Sequence, residues 1–336
     1  MNNTHAFAEL RQWLQQPPTA NLWWQCVELV ESFESVERSL LREYLLSHVA
    51  KDKHWKHTQV PCGEWDKDFS GWKLCKNTTQ RIDLLPEATE VYCPPQTFRL
   101  GGDIRDEKCY KNEFPCRTIT LTKGLWVLST PVTQAMFQTV CKNSISSAVG
   151  GTLPVHFVFW NEAVVFCNQL STKVGLLPCY QLEGWKEWKD NPEEAPLPVV
   201  QWDREANGYR LPTEVEWEAF AKAGCQRSLY GPLEEIAWYG ENSASEKHPV
   251  GQKEPNAWGL YDTLGNIAEW CFDEAFVCYK DLPSVDPALA NEEELERVVR
   301  GGSFLHHEYD LRLSCRDGLY EGFARDYVGF RVVRNG

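Results

Sequence analysis

Gly259-Leu260-Tyr261-Asp262-Thr263-Leu264-Gly265-Asn266-Ile267-Ala268-Glu269-Trp270 is the longest of five short segments whose order decides the fold. Upstream of it lie Pro131-Val132-Thr133-Gln134 and Arg210-Leu211-Pro212-Thr213-Glu214-Val215-Glu216-Trp217-Glu218. Downstream come Arg300-Gly301-Gly302-Ser303-Phe304 and Gly329-Phe330-Arg331. From residue 88 onward, short apolar runs are broken by Gly, Pro and Asn. Thr97–Gly102 and Thr118–Leu121 read as strands. Pro131-Val132-Thr133 opens a helix that runs through Cys141, with Thr133 as its cap. Asn161–Val174 places Ala163, Phe166, Cys167, Leu170 and Val174 on one face of a second helix. A third helix opens after Pro212, with Thr213 as cap and Glu216 at the third helical position, a capping-box spacing. Val298–Ser303 and Val328–Val333 read as closing strands. A few helices among many short strands and long loops, with no internal repeat, predict an α+β domain and not a doubly wound one.

The N-terminal part has a different texture. Residues 5–16 and 21–50 read as helices separated by Pro17-Pro18, with Asn21 as cap. Leu22, Cys26, Leu29, Val30, Phe33, Val36, Leu40, Leu41, Tyr44 and Leu45 form an apolar stripe on the second helix. Two helices alone bury little surface, so this hairpin is expected to dock on something else, a partner included. The expected division is a helical region over 1–57, a connector over 58–87 and the main domain over 88–336. His48, His54 and His57 follow the second helix without carboxylates at ligand spacing, which favours a solvated helix end over a metal site.

The net charge of −14 over 336 residues argues against nucleic acid as a partner, because phosphate binding needs a basic face. The 15 Trp are enough to stabilise a loop-rich fold, since each buries a large area. The 13 Cys are odd in number and contain no CxxC pair, so they read as reduced, buried small hydrophobes and not as a disulfide framework or zinc site. The N-terminus lacks a basic region followed by an apolar run, and no stretch is long and apolar enough to span a bilayer. A cytoplasmic or phage-particle location is the default expectation, with no membrane partner.

Taken in their order and spacing, the five segments closely resemble the formylglycine-generating enzyme (sulfatase-modifying factor) family over roughly residues 88–336. The resemblance implies a C-type-lectin-like fold with little regular secondary structure. It also implies one of three functions. Some members oxidise a substrate cysteine with copper and oxygen, using two cysteines in the C-terminal segment. Others carry an iron-binding helical domain and make carbon–sulfur bonds. A third group displays a variable binding surface, diversified by retroelements.

The residues choose among these. Cu(I) is held by two thiolates. Cys315 matches the second family cysteine, whereas the first falls near Asp310 or Leu311, neither a thiolate. Copper is therefore not expected, and Cys315 remains the catalytic residue only of the rival reading, an oxidase. The histidines after the N-terminal helices do not match the iron-binding spacing, and that region is too short for a four-helix iron site.

What remains is a non-catalytic ligand-binding face over residues 304–328, taking a protein or small-molecule ligand. Its candidate contact residues are Phe304, His306, His307, Tyr309, Asp310 and Asp317, followed by Leu319, Tyr320, Phe323, Asp326 and Tyr327. Aromatics mixed with Asp, Gly and His resemble a paratope. Diversification through asparagine-type codons cannot produce Trp, Lys, Gln, Met or Glu. The segment contains none of the first four, and its Glu308 and Glu321 would be fixed positions. The alternative is that these side chains simply cover the core. The resemblance further implies a structural calcium in the 262–269 loop, with carboxylates from Asp262 and Glu269 and backbone oxygens from Gly265 and Ile267. The bland alternative is that Glu269 only pins the loop. Ligands for a second family calcium site, near Ile236–Ser243, are not evident.

Overall fold

The computed structural model describes residues 79–102, 106–141, 151–184, 198–275, 277–288 and 295–336, plus positions 10, 12, 13, 29, 64, 65, 72 and 73. The chain divides into two compact units, one of residues 1–75 with 223–226 and one of 76–222 with 227–336. In the first unit, Leu10, Gln12, Trp13 and Leu29 are helical, and Leu10 and Leu29 are buried. The rest of the two expected N-terminal helices, and the histidines at 48, 54 and 57, lie outside the described residues. Strands β1 (Glu64–Trp65) and β2 (Trp72–Lys73) pair antiparallel.

The second unit begins with β3 (Thr79–Ile82) and β4 (Leu85–Cys93), followed by β5 (Gln96–Leu100), β6 (Arg117–Leu121) and β7 (Leu125–Leu128). Helices α1 (Gln134–Val140) and α2 (Trp160–Lys173) come next, then β8 (Tyr180–Glu183), β9 (Val199–Trp202) and α3 (Glu214–Lys222). The chain closes with β10 (Ala268–Glu274), β11 (Glu296–Arg300), β12 (Arg316–Tyr320), β13 (Val328–Gly329) and β14 (Val333–Asn335). One sheet has the order β14-β7-β4-β3 and another the order β12-β11-β10-β13, while β5-β6 and β8-β9 are separate pairs. Few helices set among short strands give the α+β architecture.

The helix caps form as their residues dictate. The Thr133 hydroxyl accepts from the Met136 amide at 3.2 Å. At α3, the Glu216 amide donates to Thr213 Oγ1 (3.1 Å) while Glu216 Oε2 accepts from the Thr213 amide (2.9 Å). This reciprocal cap satisfies two backbone donors that a helix start leaves open. On α2, Ala163, Phe166, Cys167 and Leu170 are buried. Phe166 stacks on Phe137 of α1 at 5.4 Å, and Phe330 meets both rings edge-on.

Three expectations shift. Residues 79–87 are not connector, because β3 and the start of β4 already belong to the sheet. Their pattern is hidden because β3 is a polar edge strand, Thr-Gln-Arg-Ile, of which only Ile82 is buried. The expected strand over 298–303 stops at Arg300, since Gly301 and Gly302 take φ of 90° and 66°. The expected strand over 328–333 splits into β13 and β14. Between them Arg331, fully buried, turns inward to Glu269.

Buried ion pairs bring the distinctive segments together. Both Glu269 oxygens accept from Arg331, at 2.7 to 2.9 Å, and Glu269 Oε2 also accepts from Trp217 Nε1 at 2.8 Å. Arg331 donates further to the Leu128 and Tyr261 carbonyls. Arg300 pairs with Glu218, and the Val132 amide donates to the Phe330 carbonyl. Removing one partner from such a buried pair leaves an uncompensated charge, which is strongly destabilising.

Candidate functional site

A cleft of about 250 Å³ opens beside the Arg300-Gly301-Gly302 turn. Its floor is Ala268, Val299, Gly301 and Gly302, and its walls are Tyr110, Asn112, His306, Asp310, Cys315, Arg316, Asp317 and Tyr327. The two glycines are needed there. A Cβ on Gly301 would lie 2.9 Å from the Thr263 carbonyl, and one on Gly302 would lie 2.5 Å from Leu311 Cδ2. Side chains at these positions would strain the turn.

The wall from residue 309 to 316 is a loop, yet three arginines fix it. Arg300 donates to the Leu313 and Cys315 carbonyls from below. Arg312 donates to the Tyr309 carbonyl (2.9 Å) and pairs with the fully buried Glu113, which also accepts from Ser314 Oγ (2.7 Å). Arg316 pairs with Glu214 and donates to the Val277 carbonyl (2.7 Å). Each arginine presents several donors in a fixed fork, so one side chain can hold two or three acceptors at once. The cleft is thereby preformed, as small-ligand sites usually are.

The residues expected at the site separate into groups. His306, Asp310, Asp317 and Tyr327 line the cleft together. His306 Nδ1 meets Ser303 Oγ at 2.7 Å, its ring packs edge-on against Tyr327 at 5.5 Å, and burial holds its pKa below the usual histidine value. Asp310 Oδ1 accepts from the Tyr110 hydroxyl (2.8 Å), and Asp317 Oδ1 accepts from the Gly318 amide (2.8 Å). Tyr309 and Phe323 are exposed, at 50% and 47%. His307 is exposed beside Glu241, and Asp326 is exposed as well. Leu319 and Tyr320 are half-buried, with Leu319 packed on the core. Phe304 is a correction: only 2% of it is exposed, beneath Lys247, so it supports the segment and offers no contact surface.

Sequence reasoning did not single out Tyr110 and Asn112. Tyr110 meets Asp310 across 200 residues of chain, and no local pattern announces such a contact.

Cys315 lines the cleft as its one thiol, and its relative exposure is only 9%. Burial first, and the nearby Glu113 second, push its pKa up to about 12, so the thiol stays protonated at neutral pH. A protonated thiol is a poor metal ligand and nucleophile.

The two carboxylates expected to hold calcium in the 262–269 loop are both engaged by protein donors. Glu269 is saturated by Arg331 and Trp217, and the Arg331 guanidinium already neutralises its charge. Asp262 accepts from the Gly251 amide (2.7 Å) and from Asn266 Nδ2 (3.3 Å), and burial raises its pKa. The loop is held by protein donors where a cation would have to compete. Among the described residues, no group of three or more His, Cys, Asp or Glu is placed to hold a metal ion. No helix among them is long and apolar enough to cross a membrane.

Comparison with known proteins agrees with the fold. The FGE-sulfatase model, described as a sulfatase-modifying factor enzyme 1-like domain, matches residues 78–336. The formylglycine-generating enzyme of Streptomyces coelicolor is 37% identical over 287 residues, covering 73% of this chain and 89% of the relative. The chaperone protein LppX of Paenibacillus barcinonensis is 32% identical over 257 residues, covering 68% of this chain and 86% of the relative. Among solved structures, Treponema denticola variable protein 1 superposes with a TM-score of 0.67 at 30% identity, covering 78% of this chain and 100% of that one. With the match spanning most of its length, and with four of the five segments joined by buried ion pairs and the fifth by a backbone hydrogen bond to Phe330, this chain belongs to the sulfatase-modifying factor enzyme 1-like (FGE-sulfatase) family.

Proposed function

We propose that this chain is a non-catalytic ligand-binding protein that takes its ligand at the cleft and the surface built by residues 304–328. The observation that carries this reading is the chemistry of the cleft wall. It offers a single thiol, buried and protonated, where Cu(I) needs two thiolates. Around it stand Tyr110, Tyr327, Asp310 and Asp317, beside a segment, 309–316, that buried arginines fix. Rigid aromatic and acidic groups at a preformed surface suit binding. Similarity to a Treponema protein named as a variable protein supports a displayed surface.

Similarity to formylglycine-generating enzymes favours the rival, a copper oxidase acting through Cys315. Two experiments separate them. In the first, the protein is incubated with Cu(I), oxygen and cysteine-containing peptides, and the expected mass spectrum shows unmodified peptide. Conversion of thiol to aldehyde would overturn the binding reading. In the second, a phage-displayed peptide library is panned on the immobilised chain. Clones that bind the native protein are expected to lose the variant Tyr110→Ala/Tyr309→Ala. Equal retention on both would move the ligand away from this face.

A further inference from the structure

We infer that the cleft receives a guanidinium or ammonium group, the side chain of an Arg or Lys presented by a partner protein. This deepens the ligand-binding reading and rests on it.

Acceptors are in surplus. Asp310 uses one carboxylate oxygen for Tyr110, and Asp317 uses one for the Gly318 amide. Among the described residues, nothing donates to the second oxygen of either. Asn112 stands beside them, its Nδ2 donating to the Arg316 carbonyl. A carboxylate oxygen accepts its strongest hydrogen bonds from a charged donor, so a cation from outside is favourable there.

Most donors in the cleft are already spent, the Tyr327 hydroxyl and the second His306 ring nitrogen apart. The Arg316 guanidinium is turned to Glu214 and to the Val277 and Asn112 carbonyls. His306 Nδ1 is taken by Ser303, and Tyr110 gives its proton to Asp310. The nearby Lys108 reaches Glu308 and the Tyr309 ring instead. A cationic ligand rich in donors therefore complements the two part-used carboxylates, and a planar guanidinium, with five donors, does so best. Tyr110 and Tyr327 add aromatic surface to the lining, and the Tyr110 ring already carries one guanidinium, that of Arg312, at 5.1 Å.

Size and surroundings point to a side chain of a larger partner. Pockets for drug-sized ligands run from about 300 Å³ upward, and this cleft, at about 250 Å³, falls below that range. At its rim, Tyr110 is 45% exposed, while Leu305 and Tyr309, chain neighbours of the wall residues His306 and Asp310, are 43% and 50% exposed. Exposed apolar groups beside an acidic cleft suit an apolar protein surface around a central basic anchor.

The test uses the full chain, labelled with ¹⁵N, and four probes read at the amides of Gly301, Gly302 and Gly318. The probes are the N-acetyl, N-methylamide derivatives of arginine, citrulline and glutamate, and the capped tripeptide Leu-Arg-Leu. The arginine derivative is expected to give a saturable shift, and citrulline to bind at least about tenfold more weakly, the loss of one charge-assisted contact. The tripeptide should bind several-fold more tightly than the single residue. Asp310→Asn/Asp317→Asn should erase the preference for arginine over citrulline. Asp317→Asn alone should reduce it, which guards against a folding defect in the double variant. Equal binding of citrulline, tighter binding of glutamate, or silence of these amides toward arginine would overturn the inference. Binding of a neutral or acidic probe at the same amides would still leave the cleft as a ligand site, so the two readings fail separately. A tripeptide no tighter than the lone residue would overturn the partner-protein source.

Discussion

Glu113→Gln should be among the most damaging single substitutions near the cleft. Glu113 is fully buried, and all its capacity is used: Oε2 accepts from Arg312 (2.7 Å) and Ser314 (2.7 Å), while Oε1 accepts from the Tyr110 amide (2.8 Å) and lies 2.6 Å from Arg312. Glutamine keeps the size but removes the charge, and its amide points two hydrogens at groups that are donors already. The Arg312 side chain, only 3% exposed, is left without a counter-ion. Breaking a buried pair in this way costs about 3–5 kcal/mol. At about 2–4 °C of Tm per kcal/mol for a domain of this size, the expected fall is roughly 6–20 °C. Thermal unfolding followed by circular dichroism, with urea titration beside it, measures it. The double variant Glu113→Leu/Arg312→Leu should recover much of the loss, because an apolar pair carries no unpaired charge. A Tm within about 2 °C of the parent for Glu113→Gln, under about 1 kcal/mol, would refute the claim that this pair anchors the cleft wall.

Tyr309→Ala should leave stability within about 0.5 kcal/mol of the parent, as surface changes usually do, because its ring is half exposed. Tyr327→Ala should lower Tm clearly, since that ring packs on the core and on His306; equal effects would mean the two tyrosines share one environment. Calcium or a chelator should not move the melting temperature, because Glu269 is already occupied by Arg331 and Trp217; a rise of more than about 2 °C with calcium, about 1 kcal/mol, would contradict this. Burial holds the His306 pKa below its ordinary value, so the unfolded chain takes up the proton first. Stability carried by neutral His306 is present above about pH 6.5 and is lost as pH falls toward its folded value. His306→Gln should flatten that part of the stability profile, and an unchanged slope would refute the assignment. Gly302→Ala should destabilise markedly in urea titration, since a Cβ there meets Leu311 at 2.5 Å in a left-handed backbone; near-parent stability would show that the turn can relax.

The sequence by itself determined the elements whose causes are local. Thr133 and the Thr213/Glu216 box cap their helices wherever the fold carries them, since the groups they satisfy lie within one turn. The helical face of Ala163, Phe166, Cys167 and Leu170 was readable from its period, and the five ordered segments carried the family. Other features have no local signature. Strand β10 is buried along six consecutive residues, so no alternation marks it, and β3 is a polar edge strand with only Ile82 buried. The roles of Arg331, Arg312 and Arg316 were invisible because a buried arginine is explained only by its carboxylate, 62, 199 and 102 residues away. The cleft belongs to the same class. Residues 304–328 declared an aromatic and acidic composition, but only tertiary structure turned Phe304 inward, set Tyr110 against Asp310 and left carboxylate oxygens facing one small space. Local chemistry acts through a few neighbouring residues, whereas a site is decided by which distant side chains consume one another's charges.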